Sequence, residues 1–295
     1  MNGVVVIDKP QGVTSHDVVN RVRRILGQRS VGHLGTLDPS ATGVLPIVAG
    51  NLTRLAQFYA HSEKVYEGII RFGFATDTYD ADGEATTPAC SVNLDVEQLR
   101  ALAANFRGEI EQAPPPFSAK KIAGVPAYKL ARKKQEVTLK PVRVEIMELE
   151  ILEVEDARAS FRARVASGTY MRSLAHDMGQ KLGCGAHLAS LRRTAVAEFV
   201  IEDAHTLEEL EQAIQQGSAE GAFVHPRKLL PQFPAVAATD ENVALIRAGR
   251  AVNLPELSRA PLVKVFHGQR ELIAIATRVA GTLFHAGIVF PLGTE

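Results

Sequence analysis

Apolar residues recur along this chain with two periods, and the switches between them outline its elements. Gly3 to Ile7 is a short apolar run that predicts a strand, closed by a turn through Lys9-Pro10-Gln11-Gly12. Val18, Val19, Val22, Ile25 and Leu26 then fall on one stripe, predicting a helix over 16–26 with Ser15 as its N-cap. Gly32 to Gly43 holds too many glycines and an Asp-Pro step, so it reads as a loop. Strands are expected at 44–49, 65–72, 142–154 and 159–166. Helices are expected near 52–60, over 95–106 (Leu99, Leu102 and Phe106 on one side), between Gly168 and Gly183, and over 206–216. Pro114-Pro115-Pro116 predicts a stiff extended segment.

The tail has a different texture. After Pro231-Gln232-Phe233-Pro234 comes a short helix near 240–248. Three β-rich runs follow at 261–266, 271–279 and 283–290, separated by turn signals at His267-Gly268 and Ala280-Gly281. The proline-flanked boundary divides the chain into 1–232 and a small, largely β unit at 235–295.

Composition narrows the class. With 295 residues, 46% of them hydrophobic, the chain can bury a substantial core. No stretch approaches the roughly 20 apolar residues of a membrane span, and Asp8-Lys9-Pro10 cuts the N-terminal apolar run too short for a signal peptide. A soluble cytoplasmic protein is expected. Cys90 and Cys184 show none of the paired spacing of a zinc or redox site, so neither metal nor disulfide is expected.

Charge balances at 33 basic against 33 acidic residues, which taken alone argues against a polyanion partner. The balance is polarised, however. Segment 119–143 carries eight basic residues and one acid, whereas 201–220 carries six acids and no Lys or Arg. A neutral protein of this kind can still turn one basic face toward nucleic acid, although a solvated surface accounts for the basic run equally well.

Candidate chemistry concentrates in Gly32-His33-Leu34-Gly35-Thr36-Leu37-Asp38-Pro39-Ser40-Ala41-Thr42-Gly43-Val44-Leu45. Its glycines permit tight bends, and Pro39 biases Asp38 toward extended geometry, so a carboxylate stands on a stiff loop. Most Asp-Pro pairs in loops are turn initiators, and spacing alone does not lift this one above them.

The window closely resembles the G-H-x-G-x-L-D-P-x-A-T-G signature of the bacterial-type TruB family of tRNA pseudouridine-55 synthases. Five more elements resemble that family in its order: Lys9-Pro10-Gln11-Gly12-Val13-Thr14-Ser15, Lys64-Val65-Tyr66, Pro115-Pro116-Phe117-Ser118-Ala119-Lys120, Gly168-Thr169-Tyr170-Met171-Arg172-Ser173-Leu174, and Leu191-Arg192-Arg193-Thr194. The resemblance covers roughly 3–200. It implies an α+β pseudouridine synthase fold, a central mixed and mainly antiparallel sheet flanked by helices, with the tail as a PUA-like RNA-binding domain. It implies Asp38 as catalytic aspartate, Tyr66 stacked on the target base, Arg172 paired with Asp38, and His33, Tyr170 and Leu191 lining the substrate site. Lys9 and Lys120 would support the fold or touch phosphate. Without the resemblance, Tyr66, Tyr170 and Leu191 read as core.

The implied reaction turns the T-loop uridine (position 55) of tRNA into pseudouridine. The N1–C1′ bond breaks and C1′ rejoins at C5, with no electron transfer and no group lost, so no cofactor is expected. Asp38 would act as nucleophile or as a base on the ribose, and Arg172 could grip its carboxylate with a fork. The base must leave its stack, a cost of a few kcal/mol that a Tyr platform partly offsets. The T-arm stem-loop is the expected partner of a monomer with no obligatory protein partner. Two alternatives remain. Guide-RNA-dependent relatives usually carry longer basic extensions and differ at the place of Ala41. An RNA-binding module with a vestigial site would have no need of Asp38, Tyr66 and Arg172 together.

Overall fold

The computed structural model describes residues 1–118, 120–122, 125–126 and 139–291. Most of the basic run falls outside them, Lys129, Arg132, Lys133 and Lys134 included, and with it the reading of that run as an RNA contact. The strands are β1 (Gly3–Lys9), β2 (Val31–His33), β3 (Thr42–Ala49), β4 (Lys64–Phe72), β5 (Gly108–Gln112), a two-residue pair β6 (Lys121–Ile122) and β7 (Val125–Pro126), β8 (Val142–Glu155), β9 (Arg158–Val165), β10 (Ala186–Val196), β11 (Phe199–Val200), β12 (Ala235–Ala237), β13 (Val252–Asn253), β14 (Leu262–His267), β15 (Glu271–Ala280) and β16 (Leu283–Val289). The helices are α1 (Ser15–Leu26), α2 (Ala56–Tyr59, continuing a 3-10 turn over Gly50–Leu55), α3 (Val96–Ala104), α4 (Met171–Leu182), α5 (Leu207–Gln215) and α6 (Asp240–Arg247).

Nine strands make one sheet in the order β1-β3-β10-β4-β9-β8-β5, with β2 added to β3 and β11 to β10. Every pairing is antiparallel except that of β10 with β3, as the expected mixed, mainly antiparallel sheet requires. Strand alternation sorts the run Val4-Val5-Val6-Ile7 onto two faces. Val5 and Ile7 join α1, α3, α4 and α5 in one core with Val18, Leu99, Leu174 and Leu210. Val4 and Val6 join the opposite core with Leu55 and Phe199. This two-sided burial is why β1 reads as a continuous apolar run.

Helix α1 begins one residue earlier than expected, because Thr14 is the cap and not Ser15. The Thr14 hydroxyl accepts from Asp17 N, and the Asp17 carboxylate accepts from Thr14 N at 2.9 Å, a reciprocal capping box. Ser15 is thereby released for another task, described below. The acidic segment meets α1 directly, where Arg21 bridges Glu208 at 2.8 Å and Glu211 at 3.3 Å.

Strand β10, at the middle of the sheet, has no signal in the hydrophobic pattern. Its register slips between Leu188 and Ser190 and again between Arg193 and Ala195, which breaks the alternation. Two adjacent arginines also suggest an exposed segment, yet Arg193 is wholly buried.

The second sheet, β12-β14-β15-β16-β13, has its own core around Val263, Ile273 and Phe284. It also packs Phe266, Leu272 and Ile275 against the large sheet's outer core. The connecting segment is clipped from both sides. Lys264 Nζ donates to the carbonyls of Arg227 and Leu229, while one Glu198 oxygen accepts from Tyr59 Oη and Leu230 N.

Helix α4 carries one acid that is poorly placed for its charge. Burial pushes Asp177 up to about 6, with Lys181 pulling weakly the other way. A raised carboxylate contributes stability that is complete below its unfolded value near 4 and is lost as pH climbs through 6. Asp177→Asn is therefore expected to match wild type in thermal midpoint near pH 4. By pH 7 it should gain about 1–3 kcal/mol over wild type. A constant difference across that range in thermal denaturation would refute this assignment.

Candidate active site

The loop from Leu34 to Ala41 leaves β2 and returns as β3, and its backbone is tied down at points along its whole length. At its start Leu34 N donates to Pro46 O at 2.9 Å. A strand residue's N–H and C=O point to the same side, so the donor that Pro46 lacks would face the gap where β2 ends and β10 has not begun. Arg193 fills that gap from β10. Its Nε donates to Val44 O at 2.8 Å, Nη1 to Thr36 O at 3.1 Å and Nη2 to Gly35 O at 2.9 Å. Burial pulls its pKa below the usual arginine value, and the Tyr66 hydroxyl acts in the opposite sense.

The N-terminal element holds the other half of the loop. Ser15 Oγ donates to Leu37 O and accepts from Leu37 N, at 3.0 and 2.8 Å. Lys9, wholly buried, spends its three ammonium protons on the carbonyls of Pro10, Val13 and Pro39. Burial pushes the Lys9 ammonium down to about 8, opposed by the negative charge of Asp38. Lys9 thus supports the fold. Gly12 N completes the set by donating to Pro39 O at 2.8 Å. Asp38 rides on this clamped backbone with 43% of its side chain exposed, more open to water than an apolar pocket would leave it.

Arg172 reaches Asp38 from the first turn of α4, Nε to Oδ2 at 2.9 Å. The forked grip expected of it does not form, because its other nitrogens are engaged elsewhere. Nη1 donates to Thr78 O at 3.3 Å and lies 3.4 Å from Asp80 Oδ2, and Nη2 donates to Phe117 O at 3.0 Å. Arg172, 7% exposed, joins three chain segments that are far apart in sequence. Asp80 is buried too. Burial raises its carboxyl above the ordinary range, with the Thr78 hydroxyl and Arg172 pulling it back.

Asp38 and Arg172 stand at a cavity of about 160 Å³ with Tyr66, Tyr170, Leu191 and Ser118 in its lining. That space suits one flat ring and no drug-sized ligand, for which pockets of roughly 300–1,000 Å³ are usual. Tyr66 is 7% exposed on β4, opposite Arg193 in register, and offers an aromatic wall. Tyr170 is set by a residue without a sequence signal, Gln112 of β5. Its amide oxygen accepts from Tyr170 N at 2.8 Å and its nitrogen donates to Tyr170 O at 3.1 Å. Ser118 is 3% exposed, and among the described residues its buried hydroxyl makes no hydrogen bond of good geometry.

Five of the six expected site residues therefore share one cavity. His33 does not line it and sits in an adjoining groove of about 350 Å³ with Lys64, which shares Thr36, Tyr66 and Thr169 with the cavity. His33 Nδ1 accepts from Gly35 N at 3.3 Å, so its proton belongs on Nε2. Burial lowers its pKa, helped by Arg193, and the ring is neutral at pH 7. Asp80 and Gln112 have no signal in the sequence, and Arg193 falls within the matched element Leu191-Arg192-Arg193-Thr194 without a role assigned to it. Each acts through backbone or buried charge at sequence distances that no local pattern encodes.

No described helix is long and apolar enough to cross a membrane. Among the described residues no three His, Cys, Asp or Glu side chains converge as a metal site would.

Residues 23–171 match the model of the TruB family pseudouridylate synthase N-terminal domain, and residues 172–231 match that of the tRNA pseudouridylate synthase B C-terminal domain. The chain is 50% identical over 292 residues to the tRNA pseudouridine synthase B of Solibacter usitatus, covering 98% of this chain and all of that one. It is 39% identical to the enzyme of the same name from Aquifex aeolicus, over 96% and 98% of the two chains. Among solved structures it resembles a protein in an H/ACA RNP bound to a substrate RNA containing 2′-deoxyuridine. The TM-score is 0.72 at 26% identity, over 98% of this chain and 85% of that one. A chain of a Cbf5-Nop10-Gar1 complex gives 0.70 at 28%, over 95% and 79%.

Proposed function

This chain belongs to the TruB family of pseudouridylate synthases, and on that premise we propose that it isomerises the T-loop uridine of tRNA, position 55, with Asp38 as the catalytic carboxylate. One observation carries the reading: a carboxylate held by the Nε of a buried arginine, 2.9 Å away, at the mouth of a cavity sized for a single base. In the reaction the glycosidic N1–C1′ bond breaks and C1′ bonds to C5. The C5 proton leaves to water, and a proton is restored at N1. Asp38 acts at the sugar–base junction, where Arg172 fixes the direction of its Oδ2 and leaves Oδ1 for the substrate. Tyr66 stacks on the extruded base, which offsets about 1–3 kcal/mol of the unstacking cost. Tyr170 and Leu191 bound the ring, and His33 meets the RNA just outside the cavity. All of this is done by the chain's own side chains, with no cofactor in the scheme.

The unit from 235 onward serves as a PUA-like RNA-binding domain beside the catalytic unit 1–232. The clipped linker and shared core support the two acting as a single RNA-facing body. The protein works as a monomer in the cytoplasm without an obligatory protein partner.

Incubation of the isolated chain with a T-arm hairpin tritiated at uridine C5 is expected to release tritium to water in proportion to pseudouridine formed. No release at enzyme concentrations equal to RNA would sink the reading. The likeness to chains from protein–RNA assemblies motivates a second reading, in which the chain acts only with guide RNA and partner proteins. Turnover of the bare hairpin excludes it.

A further inference from the structure

Beside the base-sized cavity lies the groove that contains Lys64, and nothing in the scheme above uses that lysine. Its ammonium carries three donors, of which one is spent, on Ser62 O at 2.7 Å. Among the described residues no carboxylate comes within ion-pair distance of it, and the adjacent acid, Glu63, is committed to Arg164 at 3.1 Å. Burial, with the like charge of Arg193, pushes Lys64 down to about 8. The site therefore holds a cation at an energetic disadvantage that an arriving anion would relieve. The side chain lies over the active loop, since a Cβ on Gly35 would stand 3.6 Å from Lys64 Cε.

The rest of the groove fits the same ligand. The neutral ring of His33 keeps its Nε2–H for donation. Thr36 and Thr169 line the wall shared with the cavity, and the Thr169 hydroxyl is committed to Ala166 O at 3.0 Å, which leaves the anion to Lys64 and His33. Gly168 also lines the groove, and a Cβ there would meet nothing within 4 Å. The groove and the cavity meet at Thr36, Tyr66 and Thr169, so a base in the one places its own sugar–phosphate beside the other.

We propose that Lys64, with His33 Nε2–H, forms a phosphodiester subsite for the backbone phosphate adjoining the flipped nucleotide, anchoring the ribose above Asp38. This rests on the reading of the cavity as a uridine site.

The test is equilibrium binding of the T-arm hairpin to the full chain and to Lys64→Gln over a salt series. It is repeated with hairpins in which single phosphates around the target uridine are replaced by neutral methylphosphonates. Lys64→Gln should weaken binding about tenfold and lower the salt slope by about 0.7–0.9. One methylphosphonate position should cost wild type a similar factor and cost Lys64→Gln nothing further. Lys64→Arg should recover most of the affinity, and circular dichroism checks that each variant is folded. An unchanged affinity and salt slope in a folded Lys64→Gln overturns the proposal, and so do equal losses for both proteins at every modified phosphate. Product formation by wild type on the unmodified hairpin is scored in parallel. Normal product without coupling removes the phosphate subsite alone, whereas absent product removes the uridine reading.

Discussion

Asp38→Asn is expected to abolish pseudouridine formation, lowering the single-turnover rate by about 10³-fold or more, while leaving hairpin affinity within a few-fold of wild type. Asparagine has the shape of aspartate and can still accept the proton of Arg172 Nε, so the loop and the cavity wall should stay in place. What it cannot do is attack carbon or take a proton from the ribose. The folding cost should be small, because the Asp38–Arg172 pair is half open to solvent on the Asp38 side, and such pairs contribute about 1 kcal/mol or less. The measurement is tritium release against binding on one preparation. If turnover survives within tenfold, Asp38 is not the catalytic carboxylate. If binding and turnover fall together, its role is to hold RNA.

That prediction was available from the resemblance to a family, whereas the device that holds Asp38 was not. Alternation and helical periodicity placed β1, β4, β8, β9 and the longer helices to within a few residues, since each buries a regular face. They failed at β10, where two register slips and two arginines remove the regularity. They failed at β5 as well, an edge strand with only Ile110 and Gln112 turned inward. The resemblance to a family grouped Asp38, Tyr66, Tyr170, Arg172 and Leu191, and the fold brings these to one cavity. It placed His33 with them, but the Gly35 N–H holds that ring one groove away. The Lys9-to-Ser15 element could be matched but not explained by pattern. Its lysine and serine address main-chain atoms of the Asp38 loop, and main-chain acceptors look the same at every residue. Asp80 and Gln112 are hidden because their partners, the Arg172 guanidinium and the Tyr170 main chain, lie far along the sequence.

Arg193 is the sharpest instance, and its replacement should be the most damaging to the fold. It is wholly buried and has no carboxylate partner within ion-pair distance among the described residues. Its three donor contacts end on backbone carbonyls of Gly35, Thr36 and Val44. A buried ion pair can often be exchanged for apolar residues at little cost, because both charges leave together. Here the acceptors cannot leave. Arg193→Met would leave three carbonyls without their donor, that of Val44 fully buried and those of Gly35 and Thr36 partly so, at about 1–3 kcal/mol each, offset in part by no longer desolvating a guanidinium. A net loss of about 3–5 kcal/mol is expected in urea unfolding. Arg193→Lys keeps the charge but can reach only some of the same oxygens, so it should fall between. The damage should also show in catalysis at temperatures where the variant is still folded. A loop released by even about 1 Å costs on the order of 10²-fold in rate through lost alignment, with hairpin affinity much less affected. A variant as stable as wild type would mean that water or rearranged backbone satisfies those carbonyls. Full activity in a destabilised Arg193→Met would mean that the rigidity of the Asp38 loop serves folding and not the reaction.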